Sequence, residues 1–198
     1  MKINREKVEQ LVRTMKPLFT DSSRASQIKT KGACDYVTQV DIQVQKLIKE
    51  GLYQMYPQVQ FMGEEQDNTA IDRKGDFWIL DPVDGTTNLI HDFRHSTLSL
   101  AYAEAGTVEL GIVYQPYTDE MFVAVKGKGA FLNGKPIHVS EAKTLSESLV
   151  TIGTSSYYHE LADWIFKVFK EVFLSCQDIR RLGSAALDMA YVACGRVD

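Results

Sequence analysis

A layered fold of helices and sheets follows from the order of patterns along this chain. Helical periodicity comes first, closely spaced strand-like segments follow, and helix- and strand-like segments alternate towards the end. That order excludes a helical bundle and a pure β-sandwich. It predicts an α+β architecture whose first sheet is largely antiparallel.

Each element has its own justification. Ile3, Val8, Leu11, Val12, Met15, Leu18 and Phe19 recur at helical spacing and predict one opening amphipathic helix. Residues 20–35 are polar and read as a loop or a short hairpin. Val44, Leu47, Ile48, Leu52 and Met55 predict a second helix that ends before Pro57. Val59 to Met62 forms a short strand running into Gly63-Glu64-Glu65. The run Phe77-Trp78-Ile79-Leu80 is apolar without alternation, as in a strand covered on both faces. Pro82 cannot donate a ladder hydrogen bond, so that strand is expected to stop there. Gly85 allows a sharp turn, and Thr86, Thr87 and Asn88 are residue types that cap helix starts. Ser96–Ala103, Val108–Gln115 and Glu120–Lys126 read as successive strands. Asn133-Gly134 is a two-residue hairpin signal. Leu149–Gly153 is a further strand, Trp164–Phe173 a helix destined for the core, and Ala185–Ala193 a small-residue helix closed by Gly195.

Composition removes several classes of function. The 198 residues are 44% hydrophobic and 24% charged, enough for one sizeable core or two small domains. A net charge of -4 leaves no basic footprint for nucleic acid or an anionic membrane surface. No apolar run approaches a membrane span, and the charged N-terminus lacks the apolar core of a signal peptide. Cys34, Cys176 and Cys194 are far apart, without a CxxC pair, which points to a reducing, cytoplasmic setting.

The chemistry concentrates at two strand ends. Glu64-Glu65 follows one apolar strand, and Asp81 and Asp84 follow the next. If the strands are neighbours and run alike, these carboxylates share a rim. Like charges ~4 Å apart repel by about 4 kcal/mol at an effective dielectric near 20, so such a rim needs protons or a cation. Oxygen donors without His or Cys suit Mg²⁺. The unpaired backbone N–H groups and positive dipole end of the helix expected to begin at Thr86 suit a phosphate. The joint reading is metal-assisted attack of water on a phosphate ester. A lone Asp-x-x-Asp is commonly a solvated turn; the whole of DPVDGTT behind an apolar strand carries the signal. His91 and His95 have zinc-helix spacing but no flanking Glu motif, and Lys29 and Lys31 read as a solvated loop. Asp188 either contacts the site or caps its helix, and Cys194 reads as a small packing residue.

Trp78-Ile79-Leu80-Asp81-Pro82-Val83-Asp84-Gly85-Thr86-Thr87-Asn88 resembles the signature of the inositol monophosphatase family. Gly63-Glu64-Glu65 is similar to its upstream acidic motif, and Asp35-Tyr36-Val37-Thr38-Gln39-Val40-Asp41 to its D-x-V-T-x-x-D segment. Gly183-Ser184-Ala185-Ala186-Leu187-Asp188, followed by Tyr191 to Arg196, is similar to its later motif. The motifs run in order from the first helix to the last residue.

The resemblance implies a layered αβαβα sandwich, with residues 1–140 as an N-terminal metal- and phosphate-binding part and 141–198 as the start of a smaller C-terminal part. It implies two or three Mg²⁺ ions, with Glu64, Asp81, Asp84 and the Val83 carbonyl as ligands. Glu64 and Thr86 would position the attacking water, and Asp41 would hold Thr86. Asp84, Gly85 and Thr86 would bind the phosphate, and Gly183, Ser184 and Ala185 would line the alcohol side. A small phosphorylated substrate, a homodimer and lithium sensitivity are implied as well. So is hydrolysis of a sugar-alcohol phosphate, myo-inositol monophosphate first. The alternatives are fructose 1,6-bisphosphate, 3'-phosphoadenosine 5'-phosphate, NADP or histidinol phosphate, or a non-catalytic regulatory protein. Two departures stand out. The family continues into a Trp-Asp segment whose Asp binds a second metal, whereas this sequence ends at Asp198. Many relatives also read Gly-Phe-Pro where this chain has Asp92-Phe93-Arg94.

Overall fold

The computed structural model describes residues 3–21, 28–32, 35–154 and 158–198. The opening periodicity makes two helices: α1 (Arg5–Arg13) and α2 (Lys16–Thr20). The single helix expected there is interrupted at Thr14-Met15. Pro17 sits in the first turn of α2, where its missing N–H costs nothing, but further back it would break a continuous helix. Of the stretch expected to be a loop or a short hairpin, the described part holds β1 (Ile28–Gly32), which pairs antiparallel with β2 (Asp35–Thr38). The side chains of Lys29 and Lys31, and Cys34 altogether, lie outside the described residues. Helix α3 (Gln39–Met55) starts from a capping box in which Thr38 and Asp41 satisfy each other's backbone.

A seven-stranded sheet then organises the molecule. Its strands are β3 (Gln60–Gly63), β4 (Phe77–Asp84), β5 (Thr97–Glu104), β6 (Thr107–Gln115), β7 (Glu120–Val125), β8 (Gly129–Leu132) and β9 (Lys135–Pro136), in that spatial order. Only β3 and β4 are parallel; every other pair is antiparallel. Period-two alternation divides the side chains between two faces. Leu110, Ile112 and Tyr114 of β6 join Val8, Val12, Val44, Ile48 and Trp78 in the main core under α1 to α3. Val113 and Phe122 point the other way, towards α6 (Ala185–Ala193), where Leu187, Ala190 and Cys194 pack. The expected packing role of Cys194 holds. Asn133 and Gly134, both with positive φ, make the expected β8–β9 hairpin turn.

Two further expectations are overturned. Strand β4 does not stop at Pro82 but runs to Asp84. Its ladder with β5 skips between Asp81 and Asp84, so Pro82 occupies a bulge where no ladder donor is needed. The segment expected to be core, inside α5 (Ala162–Ser175), has no buried residue: Trp164 is 65% exposed and Phe166 63%. Helix α5 stands beside a second, two-stranded parallel sheet of β10 (Leu149–Thr151) and β11 (Asp178–Arg180). Periodicity reveals an apolar face but not whether another layer covers it.

Candidate active site

Parallel pairing of β3 and β4 brings the carboxylates together. Gly63 is paired with Leu80, and the Glu64 N–H donates to the Leu80 carbonyl at 3.2 Å, so Glu64 emerges beside Asp81. A Cβ at Gly63 would lie 2.4 Å from the Gln45 Oε1, so a side chain there would push the Gln45 amide aside. That oxygen accepts the Glu65 N–H at 2.9 Å and so fixes the chain as it leaves the sheet. Burial, with the charges of Glu64 and Asp84 and a hydrogen bond to Glu64, pushes the Asp81 carboxyl up to about 8.

The bulge and turn after Asp81 position the remaining groups. Gly85 has φ +90, and a Cβ there would lie 3.0 Å from the Gly183 carbonyl and 3.1 Å from that of His95. Helix α4 (Thr86–Ile90) follows with Gly85 as its N-cap, so Thr86, Thr87 and Asn88 do not cap it but lie inside it. With only five residues, α4 offers individual N–H groups rather than a full macrodipole. The Thr86 hydroxyl lies 3.3 Å from Asp41 Oδ1 and 3.0 Å from the Val83 carbonyl. Asp41 also accepts from the Thr38 N–H at 2.8 Å and the Thr38 hydroxyl at 2.6 Å. Burial nevertheless raises its carboxyl to about 6.

Sequence 100 residues downstream closes the arrangement. The Ser184 hydroxyl donates to Asp84 Oδ2 at 2.6 Å, and the Ala186 N–H donates to the same oxygen at 2.7 Å. Asp84 thus ties the first turn of α6 to the end of β4, and the Ser184 side chain, fully buried, serves Asp84. Three contributors escaped the sequence reading. Asn88 donates to the carbonyls of His95 at 2.8 Å and Leu182 at 2.7 Å. The Ser96 hydroxyl donates to the Gly85 carbonyl at 2.8 Å, and Thr97 lies 3.2 Å from the Ser184 hydroxyl. Leu182 and Ser184 are distant in sequence from the residues they meet; only the Asn in the turn motif carried any local signal.

The donor set fits Mg²⁺ in chemistry: oxygen ligands only, crowded enough to hold a proton at Asp81 in the metal-free protein. Among the described residues, no three Asp, Glu, His or Cys side chains are already gathered round one point. Glu64 is exposed and one oxygen of Asp84 is engaged by α6, so the three carboxylates do not form a ready-made cage. His91 is exposed, and His95 sits instead beside Asp188.

The fold and this acidic strand-end rim define a layered α+β protein whose polar site lies where two parallel strands finish. The inositol monophosphatase family model matches residues 2–198, and the chain belongs to that family. It is 37% identical over 172 residues to an inositol-1-monophosphatase of Rhizobium meliloti, covering 87% of this chain and 65% of that protein. It is 38% identical over 178 residues to the Nus factor SuhB of Escherichia coli K12, covering 90% and 66% respectively. The chain therefore spans about two thirds of the length of these relatives. The crystal structure of suhB from Bartonella henselae superposes with a TM-score of 0.90 at 31% identity, over 98% of this chain and 75% of the other.

Proposed function

We propose that this chain carries the catalytic rim of a Mg²⁺-dependent phosphomonoesterase acting on a small sugar-alcohol phosphate, myo-inositol monophosphate first. The observation that carries the reading is the Glu64–Asp81 pair beside Asp84, with the Thr86 hydroxyl oriented from behind by Asp41. A solved relative 25% identical to this chain, an IMPase/NADP phosphatase, is complexed with Mg²⁺ and phosphate.

In this proposal Glu64, Asp81, Asp84 and the Val83 carbonyl hold the metal. Bound Mg²⁺ supplies positive charge that offsets the carboxylates and the charge developing on the phosphate. Thr86 has one proton, which it gives to Asp41 or to the Val83 carbonyl. Its lone pairs remain to accept from water, so Thr86 and Glu64 together aim the nucleophile. The Gly85 and Thr86 N–H groups, with Asp84, border the phosphate, and the Gly183–Ala185 backbone lines the alcohol side. Water, not a side chain, attacks, so chiral phosphate should be released with inversion; retention would refute in-line attack.

The decisive test is phosphate release by the 198-residue chain from a panel of phosphomonoesters, with Mg²⁺ and with EDTA. Metal-dependent release from myo-inositol 1-phosphate, lost in Asp81→Asn, is expected. No release from any ester would overturn the reading. It would favour instead a regulatory role, which the SuhB relative's designation as a Nus factor brings into view. Preferential release from fructose 1,6-bisphosphate, NADP, 3'-phosphoadenosine 5'-phosphate or histidinol phosphate would move the substrate within the family.

The same proposal includes a division near residue 140, a homodimer, lithium inhibition and a reducing cytosol. No helix among the described residues is long and apolar enough to cross a membrane.

A further inference from the structure

Among the described residues, five buried side-chain polar atoms lack a hydrogen-bond partner: Trp78 Nε1, His95 Nε2, Tyr117 Oη, Thr151 Oγ1 and Asp188 Oδ1. Such atoms are rare in folded proteins because they lose water and gain nothing. Three of the five share one place. The charges of His95 and Asp188 act on one another. The Thr151 hydroxyl is near enough to favour the Asp188 carboxylate, although neither Thr151 Oγ1 nor Asp188 Oδ1 completes a hydrogen bond. The three residues come from the approach to β5, the end of β10 and the first turn of α6. Tyr191, three residues beyond Asp188 and on the same helix face, meets the His95 ring edge-on at 5.9 Å.

This cluster borders the candidate active site. Asp188 feels the charges of Asp84 and Arg181, and Asp84 holds the same first turn of α6. The donor set limits what can bind. Asp188 accepts only, His95 has one donor and one acceptor when neutral, and Thr151 can do either. A phosphate oxygen would be repelled by Asp84 and Asp188. A divalent cation of the hard class would find a single carboxylate where it needs several oxygens. An alcohol hydroxyl, donating to Asp188 and accepting from His95 or Thr151, matches all three.

We propose that His95, Thr151 and Asp188 form a hydroxyl-binding subsite beside the phosphate site, selecting phosphate esters whose alcohol carries a further hydroxyl near the ester carbon. The three residues are each partly exposed although their unpartnered atoms are covered, so in this proposal the side chains rotate to meet the hydroxyl. This inference rests on the phosphatase reading and deepens it.

The test compares kcat/KM for myo-inositol 1-phosphate and for p-nitrophenyl phosphate, whose leaving group has no second hydroxyl. It uses the wild-type chain and two near-isosteric variants, Asp188→Asn and Thr151→Val. The ratio should fall ~10- to 100-fold in Asp188→Asn, chiefly through KM for the inositol ester, and less in Thr151→Val. The ¹⁵N resonances of the His95 imidazole should move when myo-inositol is added with inorganic phosphate, and should not do so in Asp188→Asn. Hydrolysis of both esters with an unchanged ratio, or an imidazole that ignores myo-inositol, overturns the subsite and leaves the phosphatase reading standing. If the wild type hydrolyses neither ester, the phosphatase reading fails and the subsite falls with it.

Discussion

Asp41 illustrates how one side chain joins folding to the candidate chemistry. One carboxylate oxygen closes the capping box of α3 through the Thr38 N–H and hydroxyl, and the other faces the Thr86 hydroxyl. Asp41→Ala should destabilise the chain by about 2 kcal/mol, from the lost cap and the stranded Thr38 donors, as read by urea unfolding. Asp41→Asn should recover much of that stability, because its amide oxygen still accepts from Thr38. It should not recover full turnover, because the amide N–H₂ that then faces the Thr86 hydroxyl is a donor where Thr86 needs an acceptor. Equal kcat in Asp41→Asn and wild type would show that Thr86 needs no anionic anchor. The candidate ligands Glu64, Asp81 and Asp84 were legible as residues because the turn motif is compact and chemically unusual. Ser96 and Thr97 were not, because nothing local distinguishes a Ser-Thr pair at a strand start that meets Gly85 and Ser184 from one that meets water.

Elements were legible where periodicity was strong, and their environments less so. Helix α6 matches its expected bounds, and the expected central strands agree with β5, β6 and β7 to within a residue or so at each end. Helix α5 shows the limit. Its aromatic residues read as core, yet Phe173 is 52% exposed, and Phe166 packs against Phe169 of the same helix. In the 198-residue chain, Trp164→Ser should therefore change unfolding free energy by less than about 0.5 kcal/mol. Trp78→Ala should cost about 3–5 kcal/mol, since Trp78 is buried between Tyr56 and Tyr102. A Trp164 effect as large as that of Trp78 would mean that α5 is covered in solution.

Across the whole molecule, the carboxylate rim links stability to pH and to metal. The Asp81 carboxyl is raised to about 8 and that of Asp41 to about 6, both first by burial. A carboxyl whose folded pKa lies above its unfolded value binds its proton more tightly when folded. Its contribution is fully present below the unfolded pKa near 4 and is lost as pH rises through the folded pKa. The metal-free protein should therefore lose thermal stability between about pH 4 and pH 8, as seen by circular dichroism melts in EDTA. Mg²⁺ should restore stability most at the upper end, where Asp81 is ionised and a cation replaces its proton. A metal-free Tm that rises steadily across that window would contradict the crowding of Glu64, Asp81 and Asp84.

The sequence by itself determined the order of elements, the acidic turn and the family, because these depend on neighbours within a few residues or on motifs read in order. Gly85 had to be a turn and Ala185–Ala193 a helix whatever surrounded them. Tertiary structure decided which strands lie side by side, and so that Glu64 stands next to Asp81. It let β4 pass through Pro82 on a bulge, left α5 uncovered, and brought Ser184 100 residues along the chain to Asp84. The physical reason is the range of the interactions. Helical periodicity and turn preference are set by local backbone sterics and side-chain spacing. Register, burial and the hydrogen bonds that hold Asp84 exist only once distant segments have been packed against one another.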